Sequence, residues 1–479
     1  MKALSILYKT ANTEGNRQAT MPIISFLISL ILLLPAGFGF YQSWFGLTPS
    51  QEINLAIGLL AAYLWVSEAI PLYVTGFLIL FLELIWLLPN WGGPAPKPIV
   101  FLSCYFSETI LLFLGGFVIS EAIAHYRLDE TLARFVIKNT KGSSLYLLIG
   151  LGLSTGFLSC WMNNTATAAM MLGLVAPMMK NLSLESHLRK SVLFVIPFSA
   201  NLGGIGTPVG TLPNVIGIGY MKEKGVDIGF LPWMAFGMPV FLISVMLLCG
   251  LLYWSFLKDR EEESPKLFTP LKDEISKTSL KYNLSYLIIG ITILGWMTSD
   301  LHKISNGTVA LVPIIAFFGL KLLDLNHFRS LSWDVLILMG GGIALGKAME
   351  ETGLAKQFID LLLLGDNSSF SLFCIFSIMS LGLSCFLSNT SVANLMLPIT
   401  MGLPTEVILP AALGATIGAS LAMPFPVSTP PNALAFSYGG IKSIEMAKIG
   451  GIISILALIV FLAVGGGILH FAGWVDFSH

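Results

Sequence analysis

The chain has 479 residues, of which 55% are hydrophobic and only 11% charged, against about 25% charged in an ordinary soluble domain. A mean hydropathy of +0.81 excludes a water-soluble globular class. The balance of 26 basic against 27 acidic residues excludes a nucleic-acid-binding surface as the main business. Many apolar runs reach the roughly 20 residues needed to cross a bilayer, so the composition indicates an all-α polytopic membrane protein.

In chain order, the first apolar segment, 22–46, is long and lacks an obvious cleavage site, which reads as a membrane helix and not a signal peptide. Further spans are expected near 53–69, 71–89, 105–125, 191–224, 231–257, 283–300, 306–324, 334–350, 406–446 and 449–475, about 11 transmembrane helices in all. The apolar pairs 145–179 and 370–403 do not fit this scheme. Each half of a pair has only about 14 to 18 residues, short for a crossing, so the pairs are expected to be re-entrant hairpins. The cysteines Cys104, Cys160, Cys249, Cys374 and Cys385 lie in apolar surroundings without CxxC or CxxH spacing, and read as small buried residues.

The two pairs meet at related polar sequences. Leu158-Ser159-Cys160-Trp161-Met162-Asn163-Asn164-Thr165 returns as Leu383-Ser384-Cys385-Phe386-Leu387-Ser388-Asn389-Thr390, 225 positions later. Ile110 to Gly116 matches Leu336 to Gly342 at an offset of 226, and Gly210-Thr211-Leu212-Pro213-Asn214 matches Ser428-Thr429-Pro430-Pro431-Asn432 at 218. Three blocks in one order at nearly constant offset indicate an internal duplication.

Charge sets the expected sidedness. With the amino terminus inside, twenty Lys and Arg residues fall on inner segments and six on outer ones, as the positive-inside rule favours. The carboxyl terminus then lies outside, and the two copies run in opposite orientations, the plan of many secondary transporters. The first hairpin opens from the inside and the second from the outside. Segments 127–139 and 352–364 read as amphipathic helices in opposite interfaces. The expected organisation is scaffold helices over 1–142, half of a transport domain over 143–257, and a cytoplasmic linker over 258–282. Further scaffold helices follow over 283–366, and the second transport half occupies 367–479.

These residue types suit the carriage of a small dianion. Asn163-Asn164-Thr165 and Ser388-Asn389-Thr390 each precede a helix-forming run, and Asn, Ser and Thr are natural helix caps. Helix starts present free N–H groups and a partial positive charge, so two of them could cradle two carboxylates. The blocks Gly203 to Asn214 and Pro424 to Asn432 interrupt apolar spans with Gly and Pro. Such breaks free backbone carbonyls, which with Ser, Thr and Asn oxygens suit a hard monovalent cation. No Gly-Lys-Ser/Thr follows the Gly-rich block, so it is not a phosphate loop. No Lys, Arg, Asp, Glu or His lies in either octet or either broken block. A dianion in this neutral setting would be uncompensated, and co-bound cations resolve that problem. Glu68, Glu83, Glu108 and Glu121 lie in or near spans and are divided between functional and scaffold roles. Lys347 and Glu350, three apart, read as a helix-surface pair.

The sequence resembles the divalent anion:sodium symporter family, which includes sodium-coupled dicarboxylate and citrate carriers. The resemblance rests on Trp65-Val66-Ser67-Glu68-Ala69-Ile70-Pro71, the two Gly-Gly spans, the paired octets and Thr429-Pro430-Pro431-Asn432. It implies a homodimeric elevator-type transporter, without enzyme activity, in the cell membrane. Substrate contacts carried over from the family are Asn164, Thr165, Thr211, Ser388, Asn389, Thr390, Thr429 and Pro430. Sodium contacts would be Ser159, Asn163, Asn164 and Gly210 in the first half, and Ser384, Ser388, Asn389 and Ser428 in the second. Asn163 departs from the pattern, where the family usually has Ser. The expected function is sodium-coupled symport of C4-dicarboxylates such as succinate, malate or fumarate. The alternatives are a dicarboxylate exchanger, a sulfate carrier or, remotely, a membrane-embedded enzyme, which lacks a catalytic cluster.

Overall fold

The computed structural model describes residues 26, 29–37, 46–127, 143–179, 182–258, 280–357 and 368–477, and among these there are helices and no strands. The main helices, in chain order, are α1 (Pro49–Ser67), α2 (Leu72–Leu82), α3 (Glu108–His125), α4 (Ser144–Ser159) and α5 (Asn164–Met179). They continue with α6 (His187–Gly203), α7 (Leu212–Glu223), α8 (Phe230–Leu252), α9 (Leu280–Met297), α10 (Leu311–Gly319) and α11 (Trp333–Glu351). The last are α12 (Ser369–Ser384), α13 (Asn389–Thr400), α14 (Thr405–Ser420), α15 (Pro430–Ser437) and α16 (Ser443–Val460). Most of the expected first span, the 127–139 helix and most of the linker lie outside the described residues, and so does the 352–364 helix beyond Gln357.

Among the described residues, five continuous helical stretches are long and apolar enough to cross a membrane: Leu72–Asn90, Ile99–His125, Phe230–Leu257, Leu280–Met297 and Ser443–Phe471. The last buries Ile449, Ile453 and Ala457 while exposing Ile452, Ile455 and Ile459. A helix apolar on every face has no water on either side.

Packing divides the chain into two compact units. The first holds the described parts of 1–107, 332–365 and 397–404; the second holds those of 108–331, 366–396 and 405–479.

In the first unit, α1 begins at a capping box: Thr48 Oγ1 accepts from the Gln51 N–H at 3.3 Å, and Gln51 Oε1 accepts from the Thr48 N–H at 2.9 Å. The helix stops at Glu68, whose φ of +48° is left-handed, and Pro71 then caps α2. The Trp65-to-Pro71 motif is thus a helix–break–helix corner. Helices α2 and α11 touch backbone to backbone, because a Cβ on Gly341 would fall 2.3 Å from the Gly76 Cα. Glu83 is fully buried, with no hydrogen-bond partner for either carboxyl oxygen.

In the second unit, the two expected hairpins are helix–turn–helix pairs, α4–α5 and α12–α13, with arms of 16 and 16, and of 16 and 12 residues. Sixteen residues of helix span about 24 Å, less than the roughly 30 Å of a bilayer core. The span expected over 191–224 breaks into α6 and α7; that over 406–446 breaks into α14 and α15. Each hairpin's first arm lies on the broken helix of its own half, α4 on α6 and α12 on α14. Small residues permit this contact: a Cβ on Gly203 would fall 2.1 Å from the Gly156 carbonyl oxygen, and one on Gly418 would fall 2.4 Å from the Ser377 oxygen. The halves also interlock, since α6 packs on α15, α7 on α14, and α5 on α15.

Candidate functional site

All the expected substrate and sodium contacts lie in the second unit, at the hairpin turns and the helix breaks; Glu68, Glu83, Lys347 and Glu350 lie in the first. In the first turn, Asn163 is exposed, while Asn164 and Thr165 are half-buried. Asn163 Oδ1 accepts from the Thr165 N–H at 2.8 Å, so it closes the start of α5 as a cap. In the second turn Ser388 does the same for α13, accepting from the Ser391 N–H at 3.2 Å.

The invariant-looking feature of the two turns is a Ser–Asn clasp. Ser159 Oγ lies 2.7 Å from the Asn164 amide, and Ser384 Oγ lies 2.7 Å from Asn389 Oδ1. Asn164 Oδ1 accepts from Ser159 Oγ and lies 3.2 Å from the Ala200 and Gly210 carbonyl oxygens; with the amide turned nitrogen-inward, the same contacts become hydrogen bonds donated to those carbonyls. In the second half a carbonyl of α14, that of Ala419, accepts from Ser384 Oγ at 2.7 Å. A Cβ on Gly204 would fall 2.6 Å from the Asn164 amide oxygen, so a side chain there would displace that amide.

The helix breaks repeat just as closely. Thr211 (φ −144°, ψ 152°) starts α7 and Thr429 (φ −145°, ψ 146°) starts α15, and neither hydroxyl caps its own helix. The loops before them are held by asparagines. Asn214 Nδ2 donates to the Gly204 and Thr207 carbonyls at 2.9 Å each; Asn432 Nδ2 donates to those of Met423 at 3.1 Å and Phe425 at 3.2 Å. Each loop is also bonded to its hairpin turn. The Thr207 hydroxyl donates to the Cys160 carbonyl, and Ser428 Oγ donates to the Cys385 carbonyl at 2.8 Å. Gly210 and Ser428 are buried; Pro430, the first residue of α15, is exposed.

One chain of contacts runs between the halves. Asn201, fully buried in α6, donates through Nδ2 to Thr429 Oγ1 at 3.0 Å and to Asn432 Oδ1 at 3.3 Å. It follows Ala200, whose carbonyl oxygen meets the Asn164 amide at 3.2 Å; Thr429 follows Ser428, the donor to the second turn. The two turns are therefore joined through the α6 and α15 backbones.

Sequence reasoning gave no role to Asn201, Thr207, Asn214 or Asn432. The last two were legible as the repeated Asn of the aligned blocks. Thr207 was hidden because the alignment sets Gly210 opposite Ser428. Asn201 carries no spacing signal at all.

The arrangement presents hydroxyl, amide and carbonyl oxygens in an apolar setting, with two uncapped helix starts and no charged side chain. Such oxygens suit a hard monovalent cation, and the helix starts suit an anion. Among the described residues, no group of three or more His, Cys, Asp or Glu could hold a metal ion. An apolar, all-helical chain with a repeated neutral core of this kind is built as a membrane carrier.

Comparison with known proteins makes this specific. Residues 62–403 and 293–478 match the citrate transporter family, CitMHS, and the chain belongs to it. It is a multi-pass secondary transporter of that family, not an enzyme. It is 30% identical over 453 residues to a sodium-dependent dicarboxylate transporter of Staphylococcus aureus, covering 86% of this chain and 84% of the relative. It is 30% identical over 442 residues to an uncharacterized transporter of Haemophilus influenzae, covering 87% and 92%. An inorganic phosphate transporter of Saccharomyces cerevisiae is 29% identical over 443 residues; the match spans 88% of this chain but only 47% of that longer protein.

Proposed function

We propose that the chain is a sodium-coupled symporter of C4-dicarboxylates such as succinate, malate and fumarate. The observation that carries this reading is the duplicated Ser–Asn clasp at two helix starts, in a core without formal charge. Helix starts supply only partial positive charge, and those of α5 and α13 already have N–H groups taken by Asn163 and Ser388, so they offset only part of a dianion. Sodium ions on the neutral oxygens supply the rest, which is why dianion and cation would travel together. The S. aureus relative's name adds support for both sodium and dicarboxylate.

In this reading Asn164, Thr165, Thr211, Ser388, Asn389, Thr390, Thr429 and Pro430 contact the dianion. Sodium binds at Ser159, Asn163, Asn164 and Gly210, and again at Ser384, Ser388, Asn389 and Ser428. Residues 143–257 and 367–479 form a transport part that moves as an elevator against scaffold helices in a homodimer. Support for grouping them comes from the interlocked packing of α6 with α15 and α7 with α14. The distribution of Lys and Arg supports inverted halves in a cell membrane, with the amino terminus cytoplasmic and the carboxyl terminus outside.

The test is uptake of labelled succinate into proteoliposomes under a sodium gradient, a potassium gradient or none. Uptake driven by sodium alone is expected. Uptake that needs only internal dicarboxylate would make the chain an exchanger. A second reading, an inorganic dianion carrier, is favoured by the similarity to the yeast phosphate transporter; competition by phosphate or sulfate, with succinate inert, would establish it.

A further inference from the structure

We infer that Asn201 is a positioning residue that couples the two half-sites, so that occupancy of either favours the binding geometry of the other. The inference rests on the sodium-coupled reading for its transport readout, but its structural basis is independent.

Asn201 is wholly enclosed in α6. Its amide nitrogen bridges Thr429 Oγ1 and Asn432 Oδ1 across the repeat boundary, while its own Oδ1 has no partner. A leucine would pack in an apolar helix without an unsatisfied oxygen. What the asparagine adds is the nitrogen's bridge. Asn432, one of the bridged residues, also holds the loop before α15 through the Met423 and Phe425 carbonyls. The carbonyl oxygen of the preceding residue, Ala200, lies 3.2 Å from the inward atom of the Asn164 amide in the first turn. A cation drawing on Asn164 would therefore pull on the α6 carbonyl next to the residue that fixes Thr429. From Thr429 the connection passes along the chain to Ser428 and the Cys385 carbonyl of the second turn.

The bridge has no counterpart at the equivalent position of the second half. At the offset of 218 set by the aligned blocks, Ala419 stands opposite Asn201, and an alanine has no side-chain donor. The first half thus reaches into the second by a bond that the second does not return from this position. The coupling that the bridge carries is reciprocal: filling either half-site favours the other.

The experiment is sodium- and succinate-dependent uptake by Asn201→Ala. The expected result is a KM for succinate raised about tenfold, a sodium Hill coefficient falling toward one, and a maximal rate within about twofold of the parent. An unchanged KM and Hill coefficient would overturn the inference. If the alanine variant does not fold, Asn201→Ser, whose hydroxyl falls short of Thr429, takes the same readout. If the parent protein itself proves insensitive to sodium, the proposed function fails and the coupling is decided by melting temperature without substrate. There, Asn201→Ala, Thr429→Val and the double variant form a cycle. A double variant no less stable than the worse single variant supports the bridge; additive losses refute it.

Discussion

At the first hairpin turn the Cys160 carbonyl is held by Thr207, 47 residues along the chain; at the second, the Cys385 carbonyl is held by Ser428, 43 residues along. The clasps match at Ser159–Asn164 and Ser384–Asn389, and the loop ties match at Asn214 and Asn432. The two halves therefore keep the same bonds through different residues and loop lengths. They differ at the tips, Asn163 in one and Ser388 in the other, and in the cross-link from Asn201, which has no counterpart at Ala419. Bond pattern is what the duplication preserves, and the departures mark where the halves have separate tasks.

The strongest way to break this comparison is to remove either clasp. Asn164→Ala and Asn389→Ala should each lower succinate uptake in proteoliposomes by more than about 100-fold, a loss of roughly 2.7 kcal/mol in transition-state terms. Normal uptake by both would reject the site, and by one alone would end the equivalence of the halves.

Next in size are the turn ties. Thr207→Val and Ser428→Ala each remove the donor to a turn carbonyl, at a cost of about 1–3 kcal/mol. Both variants should melt at lower temperature in detergent, and Thr207→Ser should recover most of the loss. If Gly210, not Thr207, is the true counterpart of Ser428, Thr207→Val will melt with the parent.

Asn163→Ser sharpens the contrast between the tips. Serine caps as well as asparagine, so stability should change by less than about 0.5 kcal/mol. The sodium concentration for half-maximal uptake should nonetheless shift. An unchanged sodium dependence would confine Asn163 to capping.

The smallest effect lies outside both half-sites and serves as their control. The His327 backbone N–H, together with the His327 ring, holds the Asp324 carboxyl below its ordinary range. A folded-state value below the unfolded one stabilises above the unfolded value, near 3.9, and the gain disappears as pH falls through the lower folded value. Asp324→Asn should flatten the melting curve against pH below about 4, with uptake at neutral pH unchanged. A defect in neutral uptake would mean that this corner reaches the site.

Much of this was written along the chain. Apolar length gave the hairpin arms, expected over 145–179 and 370–403 and found as α4–α5 and α12–α13. Gly and Pro in apolar runs marked the breaks between α6 and α7 and between α14 and α15, because they remove donors and loosen the helix wherever they fall. These are local properties, and local chemistry determines them. The partners of Asn201, Thr207 and Asn432 were not legible. An asparagine in an apolar run reads the same whether it faces its own helix or a segment 228 residues away, as Asn201 faces Thr429. Only the interlocking of the two halves selects that bond, since a buried amide must take the partner that tertiary packing brings within reach.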